Sequence, residues 1–215
     1  IALCYRTSEK EAESTCRDIE SKGAQAISLN CDVSNPTAVQ DFVELVENRW
    51  GRVDALINCA GPYHRVALLE ETVEGWNEMF DNNLHSLFYL CRAVSTGMIE
   101  RGYGRIIAFS MANADKLSAQ PNITAHYIAK SGIIILVRSL AKILAQHGIT
   151  VNTISPGFID SGSSPKEELE HIKRRIPAGY VGQNSDAVSL VNYLLSDNAK
   201  YINGSNIQLS GGWGV

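Results

Sequence analysis

The sequence lacks most of the features that would assign a class at a glance. Its longest apolar run, Ile133-Ile134-Ile135-Leu136-Val137, falls far short of the roughly 18 residues needed to cross a bilayer. No secretory signal is visible. The five cysteines (Cys4, Cys16, Cys31, Cys59, Cys91) are odd in number and widely spaced, with no CxxC among them. That excludes a disulfide framework and reads as reduced thiols of a cytoplasmic protein. The five histidines are equally scattered, so no metal site is expected. Positive charge is not in excess: the formal net charge is −4 and the sequence pI about 5.7. A nucleic-acid footprint would need Lys and Arg gathered on one face. The densest basic run, Lys173-Arg174-Arg175, lies near Glu167, Glu168 and Glu170 and reads as a solvated helix face. There is no repeat, low-complexity tract or Pro/Gly/Ser-rich linker, which predicts one domain over residues 1–215.

What is present is alternation. "IALCY" is a short apolar strand, and Glu9 to Ser21 is a polar amphipathic helix. "AQAISLN" is strand-like. Asn35 to Trp50 carries helical spacing at Val39, Phe42, Val43 and Val46, with Pro36 in the first turn and Asn35 as cap. "VDALINCAG" is a buried strand ending in a glycine turn. A long helix follows from Val73 to Arg101, interrupted near Asn82-Asn83. Then come "GRIIAFS" as strand, Ile123 to His147 as helix, "ITVNTISPG" as strand, a short helix over 165–175, a helix from Asp186 to Leu195, and a last strand in "SNIQLSGG". Strand alternating with helix is the pattern of an α/β fold, a Rossmann-like doubly wound parallel sheet with helices on both faces, in three layers. Ligands of such sheets sit beyond the carboxyl ends of the strands. Those ends are Arg6, Asp32, Asn58 to Gly61, Ser110, and Pro156-Gly157.

Six fragments, in order, carry a resemblance: "CDVSNPTAVQ", "INCAG", "DNNLHSLFYL", "GRIIAFS", "AKSGIIILVRSLAKILAQHGITVNTISPGFIDSG" and "YINGSNIQLSGGW". Together they resemble the short-chain dehydrogenase/reductase family across essentially the whole length, with members like 3-oxoacyl-[acyl-carrier-protein] reductase the most similar subgroup. The resemblance implies a first strand and glycine-rich turn that would precede Ile1. The chain is therefore expected to be N-terminally truncated by about one βα unit, of the roughly 30 residues in a complete βαβ.

The resemblance also implies a cofactor. Arg6, with no carboxylate beside it, favours NADP(H) over NAD(H), because a guanidinium pairs with a 2′-phosphate. Asp32 would accept from the adenine amine, and Val33 would offer its backbone N–H. Asn58, Ala60 and Gly61 would lie against the nicotinamide ribose. Pro156, Gly157 and Ile159 would meet the carboxamide, with Ser161 where a Thr is usual. Cys59 at the turn reads as packing rather than redox chemistry.

For catalysis the resemblance implies Asn83, a serine, a tyrosine and Lys130. The tyrosine gives a proton to the alkoxide, Lys130 lowers its pKa, and the serine stabilises the oxyanion. Here the registers are shifted by one. Tyr127 stands three residues before Lys130, and the usual spacing of four falls on His126. On a helix His126 sits about 40° from Lys130, and Tyr127 about 60° away on the other side, so both share its face. In the same way Ser110 lies one residue before the expected serine position, which Met111 occupies. The loop between Ser110 and Lys130 is about three residues longer than usual, a small entropic cost. Tyr127 and Ser110 are the expected donors, with His126 and Met111 the alternatives. The activity expected is NADP(H)-dependent reduction of a carbonyl, a 3-oxoacyl thioester first, or another diketone, quinone or pteridine; a non-catalytic binding or subunit module is the other reading. Acyl carrier protein is an implied partner through Arg101 and His147. The apolar faces of the two long helices imply a homodimer or homotetramer.

Overall fold

The computed structural model describes residues 1–160, 162 and 166–214. Ser161 therefore lies outside the described residues. The elements run β1 (Ala2–Tyr5), α1 (Glu9–Ser21), β2 (Ile27–Asn30), α2 (Pro36–Trp50), β3 (Ala55–Asn58), α3 (Val73–Phe80), α4 (Ser86–Arg101), β4 (Gly104–Phe109), α5 (Thr124–Leu144), β5 (Ile149–Pro156), β6 (Ile159–Asp160), α6 (Lys166–Lys173), β7 (Gly182–Gln183), α7 (Asn184–Leu195) and β8 (Asn206–Leu209). Every strand pairing is parallel. The strands form a β1-β2 ladder, a four-stranded ladder in the order β3-β4-β5-β8, and a small β6-β7 pair that sequence patterning did not reveal. β1 and β3 each have a single strand neighbour. The difference shows in burial. β4 and β5 are almost wholly buried, whereas Ile57 on β3 is 42% exposed.

The period of two along β4 sorts its side chains between two cores. Ile106 and Ala108 join Val151 of β5 under Leu87, Cys91, Val94 and Met98 of α4 and Ile133 and Val137 of α5. Ile107 faces the other way and packs with Ile154 and with Leu194 of α7. Each fully buried Ile or Leu contributes about 1.5–3 kcal/mol, so these helices are fixed against the sheet by their apolar stripes. Local chemistry sets the ends. Asn35 Oδ1 accepts from the Thr37 and Ala38 amides ahead of Pro36, and Gly51 closes α2 in the left-handed region. Thr72 caps α3 by accepting from Gly75 N. The interruption expected near Asn82-Asn83 is a π-helical turn, Asp81–His85, between α3 and α4, a form that recurs at functional sites. No helix among the described residues is long and apolar enough to cross a membrane.

Candidate functional site

Four of the expected residues converge where β3, the π turn and α5 meet. Asn58 ends β3 and folds its Oδ1 back onto Ala60 N (3.2 Å), shaping the turn into Gly61. A Cβ at Gly61 would collide with Asn83 Oδ1 and lie 3.1 Å from Lys130 Nζ, so only glycine fits there. Asn83 is fully buried; its Nδ2 donates to the carbonyls of Met79 (2.9 Å) and Pro62 (3.1 Å), and its Oδ1 has no partner. Lys130 Nζ donates to the Phe109 carbonyl at the end of β4 (3.0 Å). Burial pulls the Lys130 pKa from 10.5 down to about 8. Partial desolvation raises the Cys59 thiol, which the Lys130 charge opposes without reversing. Cys59 is thus a neutral thiol at pH 7, as the turn's composition suggested.

The remaining strand-end residues are spread as expected, but several are engaged within the protein. Arg6 Nη1 donates to Asn82 Oδ1 (3.2 Å). Asp32 Oδ1 accepts from Ser34 Oγ (2.7 Å) and Ser34 N (3.0 Å), bonds that hold its pKa down, with Arg6 adding a smaller pull. Asp32 is therefore also a turn-forming carboxylate. Val33 is buried with Cys31, Val39 and Leu90. Gly157 N donates to the Leu209 carbonyl (2.9 Å) and Pro156 O accepts from Ala112 N (2.9 Å), so this turn is fixed between β8 and the segment after β4. Ile159 begins β6 and lies against Gly182.

The two expected proton-transfer hydroxyls are not in the cleft. Ser110 has the parity of Ile106 and Ala108, and the alternation of β4 persists one residue past the strand. Its Oγ accordingly points to α5 and donates to the Lys130 carbonyl at 2.7 Å. The Tyr127 hydroxyl turns into the 112–118 loop. It reaches the carbonyls of Asn113 (2.7 Å) and Lys116, with Ser118 Oγ at 3.1 Å. Both carbonyls also accept from loop amides, Asn113 O from Lys116 N (2.9 Å) and Lys116 O from Ser118 N (3.0 Å), so the phenol adds a further bond that ties α5 to this loop. The placement of Ser110 as oxyanion donor and Tyr127 as acid is corrected on that geometry.

Met111 and His126 line the cleft instead. His126 is 6% exposed, with its ring edge-on to Tyr63 at 5.1 Å between centroids. Its Nδ1 has no partner. Burial, and then the Lys130 charge, lower its pKa to about 4, against a smaller opposing pull from the Pro62 carbonyl. The imidazole is therefore neutral at pH 7. The pocket has a volume of about 460 Å³, and its wall includes residues that sequence reasoning missed: Tyr63, Arg65, Phe158 and Trp213. They come from separate loops and share no spacing that could have linked them. Lys173, Arg174 and Arg175 are all exposed, as a solvated run should be. Lys173 pairs with Glu170 on α6, while Arg175 lies over the Phe158 ring at 5.6 Å and lines the pocket. No group of three metal-ligating side chains is found among the described residues.

A parallel doubly wound sheet with a glycine turn, a buried Asn in a π turn and a buried Lys at its carboxyl edge defines a Rossmann-like oxidoreductase fold. The family model described as Enoyl-(Acyl carrier protein) reductase matches residues 1–214. The chain belongs to the short-chain dehydrogenase/reductase family. It is 31% identical over 215 residues to 3-oxoacyl-[acyl-carrier-protein] reductase FabG of Staphylococcus aureus, covering 99% of this chain and 87% of that one. With the FabG of Escherichia coli it shares 34% over 203 residues, 88% of this chain and 82% of that one. An actinorhodin polyketide ketoreductase variant solved with NADPH superposes with a TM-score of 0.91 at 27% identity, covering 99% of this chain and 87% of that one.

Proposed function

We propose that this chain binds NADP(H) and reduces a carbonyl group, with Lys130 supplying the charge and neutral His126 standing where a tyrosine donor is expected. The cofactor, when bound, supplies the hydride. The observation that carries the reading is the ring of His126 in the wall of a cleft, one helical turn from Lys130 on α5. The residues also suit a dinucleotide. Gly61 forms a cradle that any side chain would fill, and the orphaned Asn83 Oδ1 is a buried acceptor beside it. Arg6 and Lys130 provide positive charge near the ends of β1 and β4, which suits a phosphorylated ribose and its hydroxyls.

A neutral imidazole carries one N–H, which in the wall of the cleft can polarise a carbonyl oxygen. Histidine held neutral by its surroundings is an effective electrophile of this kind. The Lys130 ammonium stabilises the oxyanion that develops and is the nearby source of a replacement proton. Asn83 holds the Pro62 carbonyl, and through it the loop that carries Tyr63 against His126. A 3-oxoacyl thioester is the first substrate to try, since it is the class named for the relatives. A docking role for acyl carrier protein has weak support, because Arg101 is turned inward onto the Val53 carbonyl (2.6 Å). A homodimer or homotetramer is part of the proposal. Phe88 on α4 and Ile135 on α5 (66% exposed) border one apolar groove, an exposure expected of a helix face that another copy covers.

The second reading, a cofactor-binding module without turnover, is favoured by the engagement of both Ser110 and Tyr127 inside the protein. One experiment separates the two: NADPH binding by fluorescence, and NADPH oxidation with 3-oxoacyl thioesters and diketones, on wild type and His126→Ala. Oxidation that drops about 10²-fold or more in the variant, the usual size of a general acid contribution, supports the reductase. Tight NADPH binding with no oxidation of any carbonyl leaves the binding module.

A further inference from the structure

The pocket beside His126 has a chemical character that neither the fold nor the family dictates. Its volume of about 460 Å³ falls within the roughly 300–1,000 Å³ range of small-molecule sites. Two arginines, Arg65 and Arg175, stand in its wall, and among the described residues no acidic side chain lines it. No salt bridge to either arginine is present among the described residues. Three aromatic rings share the wall. Tyr63 stands edge-on to His126, and Phe158 packs on Trp213 at 4.7 Å between centroids. Arg175 lies over the Phe158 ring, its guanidinium carbon 5.6 Å from the centroid. A pocket with flat apolar walls and two cations unpaired within it is complementary to a planar body bearing an anion. The guanidinium fork matches a carboxylate in particular, because both are planar and can share two parallel hydrogen bonds.

We infer that the carbonyl compound taken by this cleft is an aryl or similarly planar acid, its carboxylate held by Arg65 and Arg175 and its ring between Tyr63, Phe158 and Trp213. The inference rests on the reductase reading for the carbonyl but not for the anion. The ring of His126, a residue 6% exposed, lines the same cavity and gives the neutral end of such a molecule a polar partner. A 3-oxoacyl chain would leave both cations unmatched.

The test compares 4-acetylbenzoate with its uncharged counterpart 4-acetylbenzamide. Binding is measured by calorimetry and by Trp213 fluorescence, and turnover separately by NADPH oxidation. The acid is expected to bind at least about tenfold more tightly than the amide, the order expected of a charge-assisted bidentate pair. In Arg65→Gln/Arg175→Gln the two should bind within about twofold of each other, and raising the salt concentration should erode the wild-type preference in the same direction. Equal binding of acid and amide overturns the inference. So does a preference that survives the double substitution, or failure of both compounds to bind. Selective binding of the acid without NADPH oxidation upholds the anion site but overturns the aryl acid as substrate; the reductase reading falls only when no thioester or diketone is reduced either, so the two failures are distinct.

Discussion

On the cofactor side of the cleft, Asn58 and Gly61, expected at a strand end, lie with Asn83 and Lys130, expected from the family resemblance, each held by a hydrogen bond or a close contact. On the proton-transfer side, Ser110 and Tyr127 are each displaced by one position, and both hydroxyls are engaged elsewhere. The difference teaches something about tolerance. A residue at the end of a buried strand or in the middle of a buried helix has one direction to point. A shift of one therefore moves its side chain to another face of the molecule rather than slightly aside. The cleft receives Met111 and His126 in consequence.

The largest expected effect comes from the cofactor side. Lys130→Met should lower NADPH oxidation by about 10²–10⁴-fold, the range for removing a charge that acts in proton transfer. It should also raise the melting temperature. The sign follows from the depressed pKa: with about 8 in the folded protein against 10.5 when exposed, the unfolded chain binds the proton more tightly. Stability of the wild type should then increase as pH rises from about 8 to 10.5, and the Met variant should lose that dependence. Turnover that needs the ammonium should fall as pH passes about 8. A melting temperature that drops in the variant would mean that the bond to the Phe109 carbonyl outweighs the cost of burying the charge.

How much of this was legible in the sequence differs along the same line. Helix and strand periodicity, the Asn35 cap and the break at Asn82-Asn83 depend on neighbours in sequence, and all three are in the structure. The direction of Ser110 was legible too. Counting in twos from Ile106 puts it on the side of α4 and α5. The bond from Tyr127 to the loop carbonyls depends on how that loop folds, which no spacing states. Its one signal was the loop's extra length, which raises the number of main-chain acceptors. Arg65 and Arg175 are about a hundred positions apart and come to line one pocket only through the chain's path.

Tyr127→Phe gives the middle-sized effect and puts the comparison at greatest risk. If the phenol is a loop anchor, removing it takes away a bond that ties α5 to the loop while the Asn113 and Lys116 carbonyls keep their amide donors, and should cost about 1–1.5 kcal/mol of stability, the upper part of the range for one internal hydrogen bond. The NADPH oxidation rate below the melting transition should be unchanged. Urea unfolding and steady-state rates measured on the same preparation test both halves. A rate that fell more than tenfold (about 1.4 kcal/mol in a barrier) with stability intact would return Tyr127 to the role of acid. It would also mean that the hydroxyl leaves the loop during turnover.

The smallest effect belongs to Ser110. Its Oγ donates to the Lys130 carbonyl, a helical acceptor that already has an intrahelical partner available, and it reaches no cavity-lining group. Ser110→Ala should therefore cost about 0.5–1.5 kcal/mol, the net worth of one internal hydrogen bond, and leave the rate and the NADPH affinity within error of wild type. The converse substitution sharpens the point. Met111→Ser would place a hydroxyl in the cleft beside His126, in the register where the family expects one. An increase in rate there, set against no change from Ser110→Ala, would locate oxyanion stabilisation at position 111 and show that the displaced side of the cleft remains shaped for it.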